Sequence, residues 1–274
     1  MSVVEKVEQA LKDMREHCER FTEYVNYIFE RSDKDALQEL ATLRQFSLET
    51  LLAQKVFYVP KSGASLMVPK FQEHLREFGV LSDKNKPVFY NRWVFPIFNA
   101  QGQVVNLVGY SPTAKDRYLY GRTPYYDRRN TLYGLERLHL VEEMGYALIT
   151  EGITDTVRLR DMGFLNTYAM CGTGNSTFIY GQINRRASKG VIKIPDRDEP
   201  GQRALRNWKF DSSITLWVDP QYKDIDELCK KHPDGVNAVK RAINNLIREL
   251  EYGGSQVNNI TVRVNPLNAE RKTQ

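Results

Sequence analysis

Cysteine is scarce. Cys18, Cys171 and Cys229 stand alone in 274 residues, with no C-x-x-C among them. An odd number so scattered excludes a disulfide framework, and a structural zinc site needs about four Cys or His ligands in close pairs. The histidines, His17, His74, His139 and His232, add no ligand pair at useful spacing. Long apolar runs are missing too: no stretch reaches the ~20 residues that span a bilayer. The start, Met1-Ser-Val-Val-Glu-Lys, lacks the apolar region of a signal peptide. These absences predict a cytoplasmic protein without membrane contact and without structural zinc, with Met1 read as a true start. Internal repeats and low-complexity segments are also absent.

What is present is a chain with 41% hydrophobic and 27% charged residues, enough for a full core in one or two domains. Lys and Arg outnumber Asp and Glu by 39 to 34, a net charge of +5. A basic chain suits a polyanionic partner. An excess this small over this length is equally the mark of an ordinary surface.

The acids are not spread evenly. Ala147-Leu148-Ile149 reads as a buried strand that ends in Glu151-Gly152, and a helical run carrying Asp155, Val157 and Leu159 follows. Val191 to Ile194 is a second strand, running into Pro195-Asp196-Arg197-Asp198-Glu199-Pro200-Gly201 and a helix from about Gln202. Ile214 to Val218 is a third, followed by Asp219 and by Lys223-Asp224-Ile225-Asp226-Glu227-Leu228. Between the first two lies another unit, Thr167 to Met170, then Gly172-Thr173-Gly174, then a helix around Ile179 to Ile183. Strands alternating with helices predict an α/β fold with a parallel sheet. Its carboxyl edge then gathers Glu151, Asp196, Asp198, Asp224 and Asp226. Like charges at such spacing repel, and hard divalent cations with oxygen ligands relieve them; Mg²⁺ favours carboxylates plus substrate phosphate. Phosphoryl chemistry is the natural use.

Glu151-Gly-Ile-Thr-Asp155, Asp196-Arg-Asp198 and Lys223-Asp-Ile-Asp-Glu-Leu228 resemble the three signatures of a TOPRIM domain. Upstream, Tyr90-Asn-Arg-Trp-Val-Phe-Pro-Ile97, Gly102, Gly109, Arg117-Tyr118-Leu119 and Leu132-Tyr-Gly-Leu135 fall in the order used by the RNA-polymerase core of bacterial and phage DnaG-type primases. The resemblance covers roughly residues 36 to 235. It implies a mixed α+β basic subdomain over 36–144 and a TOPRIM domain over 145–235, while the residues outside it read as an N-terminal helix over 1–35 and a C-terminal helix and tail over 236–274. It further implies RNA primer synthesis on single-stranded DNA from ribonucleoside triphosphates in a bacterial cell, from a bacterial or a phage gene. Glu151, Asp196 and Asp198 would be catalytic. Glu151, Asp196, Asp198 and Asp224 would hold Mg²⁺ or Mn²⁺, with Asp155 and Asp226 in support. Arg92, Arg117, Arg122 and Arg128, interleaved with tyrosines, would hold template or nucleotide. A replicative helicase and a separate zinc-binding protein would be the partners. Tyr110 stands where the family usually has a basic residue, so it can stack on a base but not hold a phosphate. Gly172-Thr173-Gly174 would admit phosphate to the backbone, a plain turn being equally expected. A TOPRIM nuclease shares the acidic signatures, and a non-catalytic single-strand-binding module would share the basic ones. A topoisomerase needs a cleaving tyrosine in a further domain, for which the chain is short.

Outside those motifs, Val4, Val7, Leu11, Met14, Cys18, Phe21, Val25 and Ile28 recur at spacings of three and four and predict one long helix. Ala10, Thr22, Tyr24 and Phe29 broaden its stripe, which favours packing on its own domain over self-association. Residues 36 to 58 read as further helix. Val88 to Tyr90, Trp93 to Phe95 and Val104 to Val108 are strand-like. Val236 to Leu250 is amphipathic and helical, with Gly253-Gly254 as its stop. Ile260 to Val264 alternates like an edge strand, and the polar tail after it reads as loose.

Overall fold

The computed structural model describes residues 2–171, 177–252 and 259–264. The chain forms two compact units, residues 1–127 with 134–136, and residues 128–133 with 137–274.

The first unit opens on α1 (Val3–Glu30). Its amino end is closed by a capping box: Ser2 Oγ accepts the Glu5 N–H, and the Glu5 carboxylate accepts the Ser2 N–H. Helices α2 (Lys34–Arg44) and α3 (Leu48–Ala53) follow, capped by Asp33 and Ser47 side chains. The chain then turns extended rather than staying helical to residue 58. Lys55 takes a left-handed φ of 53°, and Phe57-Tyr58-Val59, two aromatics and a β-branched residue, forms β1 (Phe57–Val59). Strands β2 (Arg92–Phe98), β3 (Val104–Tyr110) and β4 (Tyr118–Tyr120) complete an antiparallel sheet in the order β1-β2-β3-β4. Val88 to Tyr90 is not a strand: Phe89 is buried in the core, and Asn91, at φ 55°, turns the chain into β2.

The inner half of α1 packs on this sheet. Phe21, Tyr24, Val25 and Ile28 join Phe57, Phe71, Phe78, Phe89, Val94 and Leu107 in one buried cluster, with the Phe21 and Phe78 rings stacked 4.6 Å apart. Each such side chain contributes about 1.5–3 kcal/mol by leaving water. The outer half projects. Val3, Val4, Val7, Leu11 and Met14 are all exposed, so the stripe packs on its own domain only from His17 onward.

The second unit begins its regular structure with α4 (His139–Met144). It continues as β5 (Tyr146–Thr150), α5 (Ile153–Asp161), β6 (Thr167–Ala169), α6 (Thr177–Asn184), β7 (Gly190–Ile194) and α7 (Glu199–Asn207). Then come β8 (Ser213–Trp217), α8 (Ile225–Lys231), α9 (Gly235–Glu251) and β9 (Asn259–Thr261). The five strands form a wholly parallel sheet in the order β6-β5-β7-β8-β9. The expected edge strand is β9, beside β8. Leu148, Ile192 and Ile214 lie in register across the sheet and are buried with Val239, Ile243 and Leu246 of α9. Parallel strands covered by helices need this continuous apolar character. The expected stop at Gly253-Gly254 and the Gly172-Thr173-Gly174 turn lie outside the described residues.

Candidate active site

The strand order places the site. After β5 the chain crosses to β6 on one side, and after β7 it crosses to β8 on the other. Neighbouring strands whose connections diverge leave a crevice at their carboxyl ends, where open α/β sheets bind ligands. Glu151 follows β5 and Asp196 follows β7, so both stand at that crevice. Asp155 enters from the first turn of α5, and Asp224 arrives as the N-cap of α8.

Three carboxylates converge there. Asp155, Asp196 and Asp224 each offer an oxygen within 4.8 Å of the other two. Asp155, given a supporting place from the sequence, is thus in the trio itself. Burial pushes its carboxyl well above the usual range, and the negative charges of Asp224, Asp196 and Asp226 add to this. Asp196 is pushed up to about 6, first by burial, with Lys223 opposing and Asp224 and Asp198 reinforcing. Burial also raises Asp224, against the backbone N–H of Glu227 that its carboxylate accepts at 2.7 Å.

Glu151 lies beside the trio rather than in it. Burial, then the charges of Asp196 and Asp198, push it up to about 7. Its Oε2 is buried without a hydrogen-bond partner, a cost that a bound cation or substrate proton would remove. Asp198 caps α7, accepting the Gly201 N–H at 2.9 Å. Gly201 is required at that place, since a Cβ there would meet the Asp196 carbonyl oxygen at 2.4 Å. That close approach explains the glycine ending Asp196-Arg-Asp-Glu-Pro-Gly201.

Two cations serve these acids, and sequence reasoning gave neither a role. Lys223 Nζ lies 3.0 Å from Asp196 Oδ2 and 3.1 Å from Asp198 Oδ2. Burial lowers the Lys223 pKa, but those two carboxylates more than reverse this and the net shift is upward. Arg158 is buried against Asp226, donating from Nη2 at 2.9 Å and Nε at 3.1 Å. The paired Asp226 backbone N–H in turn reaches Asp155 at 3.2 Å. Arg158 sits three residues after Asp155 in α5, the spacing that shares a helix face, so the signal was present. Its partner, 68 residues away, was not visible.

The basic residues divide between the units. Arg92, Arg117 and Arg122 belong to the first unit and Arg128 to the second. Arg92 is half-buried, donating to the Arg117 carbonyl at 3.2 Å, while Arg117, Arg122 and Arg128 are exposed. Arg128 Nε donates to the Cys171 carbonyl. A Cβ at Gly109 would meet the Phe89 ring at 2.7 Å and Arg92 Cδ at 2.8 Å, so that glycine admits the Arg92 stem. Tyr110 offers no face to a base. It is 2% exposed, packs on Tyr118 and receives a hydrogen bond from Arg44 at 3.0 Å. Arg44, from α2, thus stands beside a position where the sequence lacks its expected base. Among the described residues, no helix is long and apolar enough to cross a membrane.

No family model matches the chain. The DNA primase of Thermotoga maritima is 30% identical over 244 residues, covering 82% of this chain and 42% of that protein. The DNA primase of Clostridium acetobutylicum is 32% identical over 190 residues, 65% of this chain and 31% of that protein. The chain therefore spans less than half the length of these relatives. Among solved structures, a DnaG primase catalytic domain bound to single-stranded DNA superposes with a TM-score of 0.70 at 21% identity, covering 85% of this chain and 80% of that one. The zinc-binding and RNA-polymerase domains of Aquifex aeolicus primase give 0.70 at 21%, covering 84% and 61%. The chain is homologous to the DnaG-type DNA primases and has the fold of their catalytic core, with its TOPRIM-type parallel sheet.

Proposed function

We propose that the chain is a primase core that joins ribonucleotides on a single-stranded DNA template and releases pyrophosphate. The observation that supports this most is the convergence of Asp155, Asp196 and Asp224 at the crevice between β5 and β7. A hard divalent cation fits these residues. The donors are all carboxylate oxygens, the group favoured by Mg²⁺ or Mn²⁺, and burial with mutual repulsion raises their pKa values in its absence. Asp155, Asp196 and Asp224 would hold the ion, with Glu151 and Asp198 at its margin. Bound there, the ion would neutralise the triphosphate of the incoming nucleotide.

The chain's own side chains do the rest. Glu151, beside the trio with its Oε2 buried and without a hydrogen-bond partner, is the carboxylate placed to take the proton from an attacking 3′ hydroxyl. Asp226 and Arg158 hold Asp155 in place through the backbone N–H of Asp226. Arg117, Arg122 and Arg128 are exposed and would bring positive charge to template or nucleotide phosphates, Arg128 with its Nε on the Cys171 carbonyl, and Arg92 donates to the carbonyl of Arg117. These contacts read backbone rather than base and give little sequence choice. Start-site selection and efficiency then fall to partners, for which a replicative helicase and a zinc-binding protein are the candidates. The chain itself is expected to carry no structural zinc and to act in the cytoplasm.

The test uses single-stranded DNA, Mg²⁺ and labelled ribonucleotides with the full chain. New short RNA, lost when Asp196 becomes Asn, supports the proposal. Shortened DNA would instead mark a TOPRIM nuclease, and binding without either product a non-catalytic module. Stoichiometric zinc in the purified protein would refute the zinc expectation.

A further inference from the structure

We infer that Lys223 is a built-in competitor for the divalent cation, its ammonium holding Asp196, a carboxylate that the ion would take, and Asp198 at the ion's margin. The inference rests on the metal reading of the site given above.

Three observations carry it. Lys223 Nζ bridges the two aspartates at 3.0 and 3.1 Å, the contact distance of an ion pair. Its backbone is pinned at both ends: the N–H donates to Glu227 Oε2 at 2.6 Å, and the carbonyl accepts the Arg197 N–H at 2.8 Å. The chain thus anchors the root of the side chain while leaving its tip movable, since the side chain is 52% exposed. The other cation of the cluster, Arg158, is committed to Asp226 and lies buried. Lysine suits an exchangeable counter-ion, being a compact charge on a flexible four-carbon stem.

A divalent ion sits about 2.0–2.6 Å from its carboxylate oxygens. An ammonium against the same oxygens would stand within a few ångströms of it, and the two cations would repel. Ion binding at Asp196 therefore requires Nζ to swing out towards solvent. Before the ion arrives, the same ammonium limits repulsion between Asp196 and Asp198. The apo site is kept folded at the expense of metal affinity.

The experiment titrates Mn²⁺ into the full chain and follows the free-ion signal by electron paramagnetic resonance, a readout independent of polymerisation. Lys223→Met should bind Mn²⁺ roughly tenfold more tightly than the parent, for removal of one adjacent positive charge. Lys223→Arg keeps the charge and should stay close to the parent. Lys209→Met, at an exposed lysine outside the cluster, should change nothing and so controls for net charge. Without metal, Lys223→Met should melt lower than the parent, and Mn²⁺ should raise its melting temperature by more. Should it fail to fold without metal, Lys223→Gln purified in Mn²⁺ and titrated after stripping replaces it. Unchanged or weaker Mn²⁺ affinity in the neutral variant, beside loss of binding in Asp196→Asn, overturns the lysine inference alone. Parental affinity in Asp196→Asn overturns the metal reading and the inference with it.

Discussion

The two sheets treat charge in opposite ways. Around the antiparallel sheet the buried polar side chains are His17, Gln54, Asn106 and Ser111, with no buried carboxylate or guanidinium among the described residues. Around the parallel sheet, Asp155, Asp219, Asp226, Arg158 and Arg160 are all buried. Burying a charge is costly unless it is paired, so such a concentration has to be held by the surrounding fold. The first unit is built on aromatic packing. The second spends part of its stability on a cluster of acids at one sheet edge. Where ionisable groups are buried together, and where the acids among them lie after a strand or in the first turn of a helix, packing alone does not account for them.

Among the charged groups, the largest expected effect comes from breaking the buried pair of the second unit. Arg158→Ala removes the guanidinium paired with buried Asp226 and should cost about 3–5 kcal/mol. The matched change in the first unit, Lys70→Ala, removes an exposed partner of Glu23 and should cost at most about 1 kcal/mol. Urea unfolding of both variants measures the contrast. Equal losses would erase the distinction between the units.

The acids themselves should act in the opposite sense. Without metal, Asp196→Asn removes a charge that burial and its neighbours disfavour, and should raise the melting temperature by a few degrees, on the scale of about 1 kcal/mol. The pH dependence has a definite sign. Glu151 is pushed up to about 7 and Asp196 to about 6. In the unfolded chain both ionise near pH 4. Their contribution to stability is therefore complete below about pH 4, declines as pH rises through 6 and 7, and is flat beyond. Midpoints of urea unfolding at pH 5 and pH 8 in chelator should show this decline. Asp196→Asn should reduce it, and excess Mg²⁺ should oppose it. A midpoint that rises over that range would contradict the raised values.

Much of this edge is legible in the sequence, because apolar runs such as Val191 to Ile194 stop abruptly at acids and glycine, and a strand followed by a helix fixes which end those acids occupy. What hides is what depends on tertiary distance. Asp155 looks peripheral from spacing alone, one turn into α5, yet its carboxylate lies within 4.8 Å of those of Asp196 and Asp224. The Arg158 pairing spans two crossovers. Tyr110 follows a strand-like stretch, but its burial on Tyr118 depends on the β3–β4 register. Residues 36 to 58 satisfy a helical pattern until Lys55 and the β-favouring Phe57 to Val59, whose register against Val94 decides the matter.

A smaller effect is expected from the exposed arginines. Arg117, Arg122 and Arg128 should each contribute to single-stranded DNA affinity without sequence preference, and each lost phosphate contact should reduce the log–log salt slope by about 0.7. Fluorescence anisotropy across a salt series checks this. A triple variant with an unchanged slope would place the template elsewhere. Since Arg117 and Arg122 belong to the first unit and Arg128 to the second, the single variants also report which unit carries the template.

The smallest effect falls on the outer half of α1, a helix that repeats within itself the contrast between packed and open surface. Phe21 and Val25 are fully buried, whereas Val7 and Leu11 are 53% and 52% exposed at the same three-and-four spacing. Phe21→Ala should cost about 3–5 kcal/mol, the usual loss for a large buried aromatic. Leu11→Ser should fall within about 0.5 kcal/mol, because an exposed side chain leaves no cavity. Its main loss is helix propensity, and the Ser2–Glu5 capping box keeps the amino end closed. Unfolding midpoints measured at two protein concentrations make the test sharper. A Leu11→Ser loss above about 1 kcal/mol that grows with concentration would show the outer stripe covered by another copy in solution, by mass action. An equal small loss at both concentrations would leave that half of the helix as open surface, and its seam spacing would then say nothing about assembly.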